Sequence, residues 1–174
     1  MKPRADVEGL PPPKPFLKSN KARILLEDKD LRIEHYGRWG RHCIDLKAGD
    51  GNAAWLFNSH YEWCLRADVD VSKLTPDVEY ALRFRVRVDK KLEKGESFWA
   101  GVYSNTRSID VGRISPKVED MDEEYHWYTV AKWVPDPKES LLIWAGPGRF
   151  GKEGTAINAV YFDCMELIPV DELP

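Results

Sequence analysis

Arg83, Arg85 and Arg87 stand at alternate positions of the run Glu79–Asp89, and Tyr80, Leu82, Phe84, Val86 and Val88 fill the places between and around them. A period of two puts all three arginines on one face of a strand and the apolar residues on the other. Guanidinium groups spaced about 7 Å apart along such a face suit bidentate binding of carboxylate or sulfate and stacking on rings. Trp99 and Tyr103 share one parity of the next apolar run, Ser97–Tyr103, which is expected to pair with this strand. A sugar ring lying on the indole would then offer uronate or sulfate groups to the arginines. The same residues read equally as a solvated outer face, its arginines paired with Asp and Glu on neighbouring strands. A second candidate contact is the loop edge, with Trp144 and with Arg149 in the Gly-rich stretch Gly146–Thr155.

Other chemistries find little support. Gly146–Glu153, GPGRFGKE, lacks the hydroxyl residue of a phosphate-binding loop and leads into a strand rather than a helix. His35, His42, His60 and His126 accompany no nucleophile motif and no HExxH. The acids of Glu119–Glu124 form a crowded polar loop. Cys43, Cys64 and Cys164 are widely spaced, contain no CxxC and read as small buried residues rather than zinc ligands. No catalytic residue is assigned, and the chain is read as a non-enzyme.

These residues need a scaffold of strands. The 174 residues suffice for one domain with a sizeable core. Their 29 acidic and 26 basic residues nearly balance, so neither nucleic acid nor a membrane surface is an expected partner. Roughly ten strands recur with turn signals every 8–12 residues and no credible helix, as in a sandwich or barrel. The expected class is all-β, a jelly-roll-like sandwich of two antiparallel sheets. It should span residues 22–169, after a Pro-rich lead-in at 1–21 and before a short tail at 170–174. Leu25, Leu82, Phe84, Val86, Val88, Leu142, Met165 and Leu167 should lie in the core, with Trp63 and Trp127.

The succession of motifs also resembles a family. Asp45, Ala48, Asp50, Gly51 and Ala53 form one turn, and His60, Glu62 and Trp63 open the next strand. Then come YALRFRVRV, the FWAGVY run at Phe98–Tyr103, and a closing strand with Asp163, Glu166, Leu167 and Pro169. This order is similar to the galactose-binding-like jelly rolls that serve as accessory modules of bacterial polysaccharide-degrading enzymes. One departure is Gly49, where Ser is usual.

The resemblance implies a non-catalytic carbohydrate-binding module, part of a larger secreted or cell-surface protein, with a polysaccharide as partner. The alternatives are a spacer or docking domain without a glycan, and a small lyase or hydrolase. It also implies a structural Ca²⁺, which needs six to eight hard oxygens. Asp50, Asn52, Asp163 and Glu166 are the expected ligands, with Glu27 and Asp28 as further candidates. Asp163 and Glu166 have opposite parity, so both reach one ion only if a bulge intervenes.

Overall fold

The computed structural model describes residues 20–57, 63–148 and 156–174. Eleven strands occupy these residues: β1 Ile24–Glu27, β2 Arg32–Ile33, β3 Gly40–Ile44, β4 Asn52–Leu56, β5 Leu65–Ala67, β6 Tyr80–Lys90, β7 Phe98–Ser104, β8 Ile109–Ile114, β9 His126–Trp133, β10 Leu141–Pro147 and β11 Ile157–Pro169. Only short 3₁₀ turns interrupt them. Sheet A runs β3-β4-β11-β6-β9, with β1 also pairing β11; sheet B runs β2-β5-β10-β7-β8. Every pairing within these sheets is antiparallel. The expected all-β jelly-roll sandwich is the fold observed.

The two long strands β6 and β11 pair along their whole length and form the spine of sheet A. Their apolar parity closes on the inner face of sheet B. Leu82, Phe84, Val86 and Val88 meet Phe162, Met165 and Leu167 there, with Phe98, Val102 and Ile143 from the facing sheet, all at most 1 % exposed. Phe98 and Phe84 both set their rings edge-on to Phe162, a favoured aromatic geometry. Residues beyond the expected domain edges stay tied to it. Lys21 pairs with Asp171, Arg23 with Glu172, and the Val170 amide donates to Glu79.

Several expectations about placement fail. The Ser97–Tyr103 run does not pair with the arginine strand: β7 lies between β10 and β8 in the other sheet. Leu25 is 55 % exposed, because Ile24 and Leu26 supply the inward parity of β1. Trp127 is 37 % exposed. The register of β9 against β6 shifts between Leu82 and Arg83, so the outward parity of Trp127 gives way to consecutive buried residues Val130 and Ala131. Leu142 and Trp63, also expected in the core, are half-buried and line a surface groove instead, because their side chains face the outside of sheet B.

Candidate functional site

The arginine face lies on the outside of sheet A, and every one of its guanidinium groups has a carboxylate. Arg83 pairs with Glu166, Arg85 with Asp163, and Arg87 donates to Asp45 at 2.7 Å. Each also lies over a ring: Arg83 over Trp127 at 4.6 Å, Arg85 over Tyr125 at 5.0 Å and Arg87 over Tyr161 at 3.8 Å. Asp45 is buried. Burial alone would raise its pKa, but the Tyr125 hydroxyl, the Lys47 amide and Arg87 together hold it below the usual carboxylate value. Tyr125 is pushed well above its ordinary range by burial and by Asp45, and remains the proton donor of the pair. This is an internal ladder of ion pairs, the second of the two readings the alternation allowed.

The ladder depends on a bulge in β11. Its register against β6 shifts between Phe162 and Cys164, so Asp163 and Glu166 both face outward despite their odd spacing. Asp163 is only 2 % exposed, and one oxygen accepts from both Arg85 and the Gly49 amide, the latter at 3.1 Å. Its other oxygen, Oδ1, is buried without a hydrogen-bond partner. A Cβ at Gly49 would stand 3.3 Å from the Asp163 carboxylate, so the small residue lets the turn approach.

Asp163 also belongs to an acidic rim. Ligand atoms of Glu27, Asp163 and Cys164 lie within 4.8 Å of one another. Glu27 is raised above its ordinary pKa by burial, then by Asp50, Asp163 and Asp28; Asp28 is raised by burial and then by Asp50. The Cys164 thiol is pushed up to about 12 by burial, then by Asp163 and Glu27. The His42 ring holds the Asp28 carbonyl at 2.9 Å. The charges of Asp50 and Asp163 thus act on both Glu27 and Asp28. Asn52 is exposed, its backbone amide donating to Asp50 at 2.9 Å, and Glu166 is committed to Arg83.

The outer face of sheet B is differently built. The pairing register aligns Arg66 on β5, Trp144 on β10, Gly101 on β7 and Arg113 on β8 in one row across four strands. The Trp144 indole lies over Gly101. A Cβ there would come within 2.3 Å of the ring, which is why this place suits glycine. Trp144 forms the floor of a groove of about 280 Å³ walled by Trp63, Tyr103, Asp110, Arg113 and Leu142. A second hollow, of about 460 Å³, shares Arg113 and is lined by Trp99, Glu96, Ser115 and Lys117. Arg113 stands between the two, 5.1 Å from the Trp99 ring centre and 5.4 Å from that of Trp144. Trp99 is fixed by a 3.0 Å hydrogen bond from its indole N–H to Glu96.

Of the expected ligand residues, Trp99, Tyr103 and Trp144 therefore come together, on the sheet opposite Arg83, Arg85 and Arg87. Arg149, His60 and Glu62 lie outside the described residues. Sequence reasoning missed Arg113 and Arg66. The weak alternation of Ile109–Ile114 hid Arg113, because a register shift between Val102 and Tyr103 breaks its period. Gly112 inside that strand was the available sign of irregularity.

No protein-family model matches the chain, and no curated protein matches it. Solved structures do. One neighbour is the CBM22-1 xylan-binding domain of Paenibacillus barcinonensis Xyn10C, with a TM-score of 0.56, 8 % identity, 84 % of this chain covered and 93 % of the other. Another is the CBM22-1–GH10 pair of modules of Clostridium thermocellum xylanase Xyn10B complexed with xylohexaose, with a TM-score of 0.51, 10 % identity and 82 % of this chain covered. The chain spans 26 % of that second structure. At these identities the likeness is one of fold: this chain has the jelly-roll architecture of those carbohydrate-binding modules. Among the described residues no helix is long and apolar enough to cross a membrane.

Proposed function

We propose that this chain is a non-catalytic polysaccharide-binding module whose ligand lies along the outer face of sheet B. The observation that carries the reading is the groove in which Trp63, Tyr103 and Trp144 gather around Arg113, continued past Arg113 towards Trp99. Concave, mainly aromatic surfaces with a few placed polar groups are what small-molecule sites look like. The fold shared with two modules described with xylan or xylohexaose supports it. Attachment to a larger, exported polysaccharide-degrading protein belongs to the same reading. So does an acidic ligand, uronate or sulfate, with its charge met on sheet B because the arginines of β6 already hold carboxylates.

The test is affinity electrophoresis against a panel of neutral and acidic polysaccharides, with Tyr103→Ala and Trp99→Ala alongside. Retention by at least one polymer is expected, and each lost ring should weaken it several-fold, on the scale of about 0.5–1.5 kcal/mol per aromatic contact. Retention by none would leave the spacer reading. New reducing ends after incubation with a retained polymer would make the chain an enzyme.

The acidic rim fits a structural Ca²⁺. Carboxylates of Glu27, Asp28, Asp50 and Asp163 supply hard oxygens, and the unpartnered Asp163 Oδ1 is the observation that a cation would explain. Such an ion would staple β1, the Asp50 turn and β11, with no part in chemistry.

A further inference from the structure

We propose that Asp110, on β8, reads the hydroxyl groups of the bound glycan: its carboxylate accepts hydrogen bonds from two adjacent hydroxyls of one uncharged sugar ring seated in the groove. The inference rests on the glycan-binding reading and deepens it.

A bulge puts the carboxylate there. Asp110 and Arg113 are three residues apart, so a regular strand would point them to opposite faces. The register of β8 against β7 pairs Gly112 with Val102 and Asp110 with Tyr103, which leaves Val111 as the extra residue. Val111 packs against the core, and Asp110 and Arg113 both come out on the face of sheet B, where they wall the groove over Trp144. Asp110 stands across from Tyr103, which in turn stands across from Leu142. This short row ends an apolar and aromatic wall with a carboxylate.

The polar groups along the two hollows differ in what they have left. Glu96 accepts from the Trp99 indole and pairs with Lys117 at 3.4 Å. Arg113 is engaged already, with the Trp99 and Trp144 rings beside it. Among the described residues, neither the Asp110 carboxylate nor the Tyr103 hydroxyl has a hydrogen-bond or ion-pair partner, and Asp110 is exposed at the groove wall. A carboxylate is an acceptor-only group with two oxygens. Hydroxyls on neighbouring ring carbons suit those two oxygens together, and each such bond is charge-assisted. The Tyr103 hydroxyl, at once donor and acceptor, suits a ring oxygen or a further hydroxyl. A uronate or sulfate in the same place would face a like charge. The sugar seated here is therefore an uncharged one, and any charge the polymer carries lies elsewhere along it.

The experiment caps hydroxyls without opening the rings. Every polymer retained by the wild-type chain is O-acetylated and retested, then tested again after mild alkaline deacetylation, with Asp110→Ala and Asp110→Asn proteins alongside. Acetylation should cost the wild type about tenfold or more in affinity, the scale of hydrogen bonds to a charged group, and deacetylation should restore it. Asp110→Ala should bind the unmodified polymer about tenfold more weakly and lose much less on acetylation. Asp110→Asn, which keeps one acceptor oxygen, should fall between. Asp110 is exposed, so both variants should melt with the wild type and their losses are not losses of folding. The proposal is overturned if both variants bind like the wild type, if acetylation leaves wild-type affinity unchanged or weakens Asp110→Ala just as much, or if every retained polymer is charged on each of its sugars. In those cases the glycan reading itself survives. If no polymer is retained at all, that reading fails and takes this one with it.

Discussion

The two outer faces of the sandwich use the same residue types to opposite ends. On sheet A, three arginines lie among Trp127, Tyr125 and Tyr161, and each is closed by a carboxylate: Glu166, Asp163 or Asp45. On sheet B, Arg113 and Arg66 lie among Trp63, Trp99 and Trp144, and a groove opens beside them. Arginine beside aromatics is thus no sign of a ligand by itself. The deciding question is whether a neighbouring strand supplies the anion. On sheet A the neighbour is β11, whose bulge turns Asp163 outward beside Arg85. Such a face is a structural element.

Asp163→Ala separates the two faces most strongly. It strips Arg85 and the Gly49 amide of their acceptor at a site only 2 % exposed. Removing one member of a buried pair costs about 3–5 kcal/mol. Arg85 keeps 26 % of its side chain in water, so the lower end, about 3 kcal/mol, is expected. Urea melts should show this loss while glycan affinity stays at the wild-type value. The same variant tests the ion. Wild-type protein should gain about 2.7 kcal/mol in CaCl₂ at a hundredfold its Kd, and Asp163→Ala should gain almost nothing. A melting temperature that neither EDTA nor CaCl₂ moves would remove the calcium staple and leave the ion-pair ladder as the role of Asp163.

Gly101→Ala works on the other face. The new Cβ would lie 2.3 Å from Cζ2 and 2.6 Å from Cε2 of Trp144, inside the indole. The ring has to lift from the floor or the strands have to part. Overpacking of this kind costs about 1–3 kcal/mol. The ladder is on the far sheet, so the calcium response should be untouched. Glycan affinity should fall several-fold, since the floor of the groove moves under Tyr103 and Arg113. Isothermal titration with unchanged affinity would show that the ligand does not cross this row.

How much of this was legible beforehand follows from the same contrast. Properties carried by one strand could be read. The alternation of Glu79–Asp89 located β6 almost to the residue, and Leu82, Phe84, Val86 and Val88 are all buried. Properties carried by two strands could not. Nothing in Ser97–Tyr103 says that it hydrogen-bonds to β10 rather than β6, because both pairings bury Phe98, Ala100 and Val102 equally well. Bulges are the other blind spot. One extra residue inverts parity, which joined Asp163 to Glu166, exposed Trp127 and concealed Arg113. The metal candidates show the same limit. Asp50, Asp163, Glu27 and Asp28 were all named from the sequence. What the sequence did not show is that β1 pairs with β11 and sets Glu27 beside Asp163 and Cys164, a contact between chain segments far apart in sequence.

Asp45→Asn is the smallest and most diagnostic change, because pH sets its size. Asp45 accepts from Arg87 and from the Tyr125 hydroxyl at 2.8 Å and caps the Lys47 amide at 3.1 Å. Burial opposes its ionisation, and those three donors outweigh burial, so its folded-state pKa lies below the unfolded value near 3.8. A carboxylate with a lowered pKa binds fewer protons in the folded than in the unfolded state over that window. Stability therefore rises with pH through it, is fully present above about pH 5, and is lost as pH falls through the folded-state value. Asparagine keeps the shape and an acceptor oxygen but not the charge. At pH 7 the variant should be less stable by about 1–2 kcal/mol, the worth of a hydrogen bond to a charged group with the rest of the network kept. The gap between variant and wild type should narrow steadily below pH 4. Polysaccharide affinity, assigned to the groove on the other sheet, should show no matching change at neutral pH. A deficit that stays constant down to pH 2 would mean that Asp45 acts through packing alone. A loss of glycan affinity in Asp45→Asn at pH 7 would mean that the two faces are coupled, and that the carboxylates of sheet A do more than close their own arginines.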